Sequence, residues 1–163
     1  SKSLVTREEN GMRVRGKQSF AAGVGILALL VLCGLGVFQA MAADPIVGEW
    51  NYTTANHWSK GPVPAGKPSS GVVVITQDDD QFNMEFQSGM VFDPPELKNF
   101  TGHKNGQDYS FSNSARTDNE GGVAKNNCDL KMTNPNQLQG KSYSQWSNGA
   151  MTFSWGFDIT LTR

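Results

Sequence analysis

Phe153-Ser154-Trp155-Gly156-Phe157-Asp158-Ile159-Thr160-Leu161 decides the fold. Large apolar side chains hold every odd position, and small or polar ones hold every even position. A period of two places alternate residues on opposite faces of a strand, so this stretch reads as a strand with one buried face. Phe82, Met84 and Phe86 alternate in the same way with Asn83 and Glu85, and Tyr109 and Phe111 alternate with Ser110 and Ser112. No segment after residue 45 carries a convincing 3.6-residue period. The sequence predicts an all-β domain.

Working outward from that strand, turn chemistry divides the chain into eight strands, at about 46–53, 71–77, 81–87, 98–103, 107–113, 122–132, 137–146 and 151–162. Asp78-Asp79-Asp80, Asn105-Gly106 and Asn134-Pro135-Asn136 are tight connections, and Asn-Gly is a strong hairpin signal because both residues tolerate positive φ. The first, third and fifth connections are long: 54–70, 88–97 and 114–121. In an up-and-down meander, odd and even connections fall at opposite ends, so the long loops gather at one end. Eight such strands close into an antiparallel barrel without exposed edges. A barrel of this size fills with side chains or holds one small ligand.

Ahead of the barrel, Arg13, Arg15 and Lys17 precede an uncharged run from Phe20 to Phe38, and Ala40-Met41-Ala42-Ala43 follows it. A charged start, an apolar stretch and an A-x-A-like site in that order read as a signal peptide over 12–42. The domain over 43–163 is then expected to be periplasmic or secreted. The alternative is an inner-membrane anchor through residues 20–38, a run nearly long enough to span a bilayer. Residues 1–11 read as an upstream extension of the reading frame, because Arg7-Glu8-Glu9 can be encoded by a purine-rich run placed like a bacterial ribosome-binding site.

Gly48-Glu49-Trp50 on the first strand resembles the G-x-W of calycins and lipocalins, and Arg163 ends the last strand. The resemblance implies an eight-stranded barrel that binds a small, largely apolar ligand. It also implies that Arg163 packs across Trp50 to close the base, with the 54–70 connection as a lid over the mouth.

The composition narrows the function. Beyond residue 42 acidic side chains outnumber basic ones and there is no basic run, which argues against nucleic-acid binding. The same region holds all four tryptophans, enough aromatic mass for a real core. Cys128 is its lone cysteine and by parity with Leu130 reads as a small buried hydrophobe. His57 and His103 fall at opposite ends of the meander, so no shared metal is expected. Contiguous aspartates at 78–80 suit a turn better than a calcium loop. There is no G-x-S-x-G and no cysteine–histidine pair, so no catalytic residues and no cofactor are assigned. Tyr109 and Tyr143 read as core aromatics with hydrogen-bonded tips.

The expected function is therefore non-enzymatic binding at the long-loop end, with Trp58, Phe86, Phe92, Trp146 and Phe153 as candidate ligand contacts. The alternative is a structural or inhibitory envelope protein that meets a protein partner through loops 54–70, 88–97 and 114–121. Cavity size separates the two, since a pocket well below about 300 Å³ favours contact through the loops.

Overall fold

A computed structural model describes residues 43–117 and 121–163. The upstream extension at 1–11, the signal segment at 12–42 and the loop tip at 118–120 lie outside the described residues. The strands are β1 (Gly48–Lys60), β2 (Ser70–Asp78), β3 (Gln81–Phe86), β4 (Asn99–Asn105), β5 (Asp108–Arg116), β6 (Val123–Asn134), β7 (Gln137–Ser147) and β8 (Thr152–Thr162), with one 3-10 turn at Pro95–Lys98. Each pairs antiparallel with the next, and β8 pairs with β1, so the sheet closes into an up-and-down barrel. The all-β reading and the eight-strand order are those the alternation predicts.

The largest departure is in β1. It continues to Lys60, so the first connection is 61–69 and not 54–70. Beyond residue 54 the alternation is interrupted by a bulge: Ala55 pairs with Asp158, but the next pair is Trp58 with Gly156, leaving one extra residue on β1. Asn56 takes a φ of 51° there, and its amide donates to Asp158 Oδ2 at 2.7 Å. A one-residue slip exchanges the two faces of a strand. His57 therefore turns toward the interior, where its ring lies 5.1 Å from that of Phe157 and its Nε2 is 2.9 Å from Thr54 Oγ1. Trp58 turns outward.

The turn end of the barrel is solid. Ile46, Trp50, Val73, Ile75, Leu138 and Leu161 are all fully buried there. Trp50 donates its indole N–H to Ile46 O at 2.7 Å. The Arg163 guanidinium stacks 3.9 Å from the Trp50 ring centroid and donates to Val47 O at 2.6 Å. Gly48 has a φ of +131°, and a Cβ there would sit 3.1 Å from Arg163 Nη2, so glycine suits this position both for its conformation and for its lack of a side chain.

The segment before β1 is tied to the same end. Asp44 accepts a hydrogen bond from the Tyr109 hydroxyl at 2.7 Å and pairs with Lys104. Burial works to raise the Asp44 carboxyl, but hydrogen bonds from Lys104, Tyr109 and the Ile46 N–H outweigh it and hold the group below its ordinary value.

Candidate functional site

Above that solid base the barrel is hollow. A cavity of about 200 Å³ opens toward the long-loop end. Its origin lies in the sizes of the inward residues on two adjacent strands. β6 contributes Ala124, Asn126 and Cys128, and β7 contributes Ser142 and Ser144, all small. Phe86 and Phe100 on β3 and β4 face them across the barrel, and Phe153 and Phe157 stand beside them on the adjacent β8, Phe157 as the register partner of Ser142. Large side chains opposite small ones, with the small ones clustered on one wall, leave a void that uniform residues would have filled.

The roof comes from the connection between β3 and β4, where Met90, Phe92 and the buried Leu97 lie over the opening. Tyr52 fixes this roof from below. Its hydroxyl donates to Ser88 O and accepts from the Met90 N–H, each at 2.8 Å, and its ring meets Phe86 edge-on at 5.2 Å. Trp146 closes the side. It stacks on Phe153 at 4.9 Å, and its indole N–H donates to Thr117 Oγ1 at 2.7 Å.

Four of the five expected ligand contacts, Phe86, Phe92, Trp146 and Phe153, line this one cavity. Trp58, expected either to fold over the mouth or to be buried in a partner, does not line it. Because of the bulge it lies on the outer wall, 37 % exposed, with its ring 5.9 Å from that of Tyr143 and its edge against Gly156. Tyr143 is correspondingly exposed and is not a core aromatic. Trp58→Ala should therefore leave affinity for a cavity ligand unchanged, as measured by calorimetry; a loss of tenfold or more would place the binding surface outside the barrel.

The polar residues of the cavity were not among the candidates. Asn126, Ser142 and Ser144 are buried and line it. Their parity with Cys128 and Trp146 marks them as inward. That signal is present in the sequence, but small polar residues on a strand read by default as the solvated face.

The cavity is close to electrically neutral. Among the described residues no lysine, arginine or histidine lines it, and Asp93 is its one carboxylate, on an exposed part of the roof. Burial, with a smaller contribution from Asp129, pushes the Cys128 thiol up to about 12, so the thiol is uncharged at neutral pH. Among the described residues no three histidine, cysteine, aspartate or glutamate side chains converge as metal ligands. No protein-family model matches the chain, and no curated protein is significantly similar to it.

Proposed function

We propose that the domain is a non-enzymatic, exported binding protein that holds one small, mainly apolar molecule in the upper half of the barrel. The observation that carries this reading is the half-filled interior: a packed base beneath an aromatic-walled void. The base closure by Trp50 and Arg163 supports a calycin-like architecture, in which the rigid lower barrel holds the upper walls apart. The volume limits the ligand. About 200 Å³ is below the usual range for drug-sized ligands. Apolar cavities of about 150 Å³, however, accept a benzene ring. The ligand is thus of single-ring size and not a long-chain lipid.

Ala124→Phe, which projects a ring into the void from β6, should lower affinity for a ring-sized ligand at least tenfold. It should cost stability only on the overpacking scale of about 1–3 kcal/mol. Tryptophan emission reports both, since Trp146 and Trp155 flank the void. Undiminished binding in a folded Ala124→Phe variant would remove the cavity as the site. Native mass spectrometry of protein from its own host tests the same reading without a chosen ligand. Its mass also shows whether the mature chain starts near Ala43.

A second reading, contact with a protein partner through the long loops, is favoured by the cavity's volume, which at about 200 Å³ falls below the mark of about 300 Å³ that separates the two readings, and by one feature of the rim. Val91 is 96 % exposed beside the cavity mouth, and Val63 and Met151 are exposed on neighbouring loops of the same end. Apolar side chains clustered at one end of a domain are typical of interaction surfaces.

A further inference from the structure

We propose that the cavity selects neutral ligands carrying a hydrogen-bond donor, which is received by Asn126 Oδ1 beside the Ser144 hydroxyl. The inference rests on the cavity being the binding site, and it names the chemistry of what enters.

The orientation of Asn126 follows from a chain of hydrogen bonds with a fixed direction. Asn113 donates its amide N–H groups to two backbone carbonyls, Leu97 O at 2.6 Å and Asn99 O at 3.0 Å. A carbonyl can only accept, so the nitrogen of Asn113 must face that side and its Oδ1 must face the other way. Asn126 answers it by donating Nδ2 to Asn113 Oδ1 at 2.8 Å. Reversing either amide would set oxygen against oxygen or nitrogen against nitrogen. What Asn126 has left is its carbonyl oxygen, which has no partner among the described residues, and the second N–H of the same amide.

Ser144 is the direct register partner of Asn126 across β6 and β7, so the two side chains stand next to each other on the inner wall. Ser144 is only 5 % exposed, lines the cavity, and its hydroxyl likewise has no protein partner among the described residues. No buried side-chain oxygen or nitrogen among the described residues is both sealed from open space and unpaired. Both oxygens therefore reach the cavity. Together they offer one obligate acceptor and one hydroxyl that can donate or accept, on a mainly apolar surface whose other polar members include Ser142 and Thr117, which both already hydrogen-bond to backbone carbonyls.

This pair discriminates among ring-sized molecules. A phenol or alcohol donates to Asn126 Oδ1 and can accept from Ser144. A hydrocarbon of the same shape strips water from both oxygens and returns nothing, and a buried polar group without a partner is costly. An ether or ketone satisfies Ser144 but leaves Asn126 unpaired. A carboxylate meets a carbonyl oxygen where it needs a donor, has no cation nearby, and faces Asp93 at the roof.

The test uses the folded 43–163 domain within the full protein and four para-substituted rings of one size: 4-methylphenol, p-xylene, 4-methylanisole and 4-methylbenzoate. In calorimetry at neutral pH, 4-methylphenol should bind roughly tenfold or more tighter than p-xylene, the yield of one well-made hydrogen bond, and 4-methylbenzoate should bind weakest. Asn126→Leu should erase the preference for the phenol while keeping p-xylene binding. Ser144→Ala, which disturbs no protein hydrogen bond, should reduce the phenol preference in a chain whose fold is unaffected. Equal binding of the phenol and the xylene by the natural protein, or a preference unchanged in both variants, overturns the donor rule and leaves the cavity as the site. Binding of none of the four overturns the cavity reading as well.

Discussion

Trp50→Ala should lower the free energy of unfolding by about 3–5 kcal/mol, the usual cost of truncating a buried aromatic side chain that neighbours cannot replace. The indole is fully buried, and it is the piece that joins the first strand, the segment before it and the end of the last. Its N–H holds Ile46 O, and its face carries Arg163. Removing it leaves a void at the base and leaves the Ile46 carbonyl in need of a partner. The Arg163 contact is the smaller part. The arginine is exposed, so Arg163→Ala should cost only about 0.5–1 kcal/mol through the cation–π contact. Urea unfolding with an unchanged m-value measures both. A Trp50→Ala loss below about 1 kcal/mol would show that Ile46 and its neighbours close the base without the indole. Because the cavity is built on that base, Trp50→Ala should also weaken ligand binding from the far end of the barrel.

What was legible in the sequence and what was not divide along a physical line. Facing is a property of period, and period is visible: Phe153 to Leu161, Phe82 to Phe86 and Tyr109 to Phe111 all face as their alternation requires. Turn positions were visible for the same reason, since Asn-Gly and Asn-Pro-Asn have few other conformations open to them. The meander order then followed, and with it the segregation of long loops from tight turns. A bulge is a different kind of event. Nothing in Thr54-Ala55-Asn56-His57-Trp58 announces that one residue will be skipped, yet that skip sends Trp58 out and His57 in. The asparagine at 56 is compatible with a positive φ but does not demand it.

Volume was the other invisible quantity. Parity marks Asn126, Ser142 and Ser144 as inward, but whether small inward residues meet large partners or each other depends on which strands become neighbours and at what register. Only after β6 and β7 pair Asn126 with Ser144 do the small residues fall on one wall and leave a cavity. The hydroxyl of Tyr52 reaching Ser88 and Met90 is of the same kind, a contact across 36 and 38 positions of sequence that no local pattern encodes.

Stability should fall steeply in alkali, beginning near pH 9 and driven first by Cys128. The thiol has an ordinary value of 9.0 and is pushed up to about 12 in the folded protein, chiefly by burial. Between those two values the unfolded chain has released the proton and the folded chain still holds it. The folded state then binds more protons, so stability declines as pH rises, by about 1.4 kcal/mol per pH unit, and approaches a loss of about 4 kcal/mol near pH 12. Other groups join above the ordinary phenol range. Burial raises Tyr52, burial and the bond to Asp44 raise Tyr109, and the bond to Asp44 raises Lys104. Each of these contributes stability that is complete below its unfolded value and is lost as pH climbs through its folded one.

Cys128→Ala separates the thiol from the rest. Its stability should stay nearly flat from about pH 8.5 to 9.5, where the natural protein already loses about 0.5 kcal/mol or more; above that range both decline as the tyrosines join, the natural protein the more steeply up to about pH 12. Thermal or urea unfolding across the alkaline series reads the difference. Equal slopes in the two proteins below about pH 10 would mean that the thiol ionises in the folded barrel. That outcome would reach beyond stability, because Cys128 lines the cavity. A thiolate there would place a negative charge on the small-residue wall beside Asn126, and the selection of neutral donors would survive only at pH values where the thiol remains protonated. A single alkaline series, run with and without p-xylene, which has no proton to lose where 4-methylphenol would ionise near the tyrosine value of about 10, thus follows the charge of the cavity wall through both folding and binding.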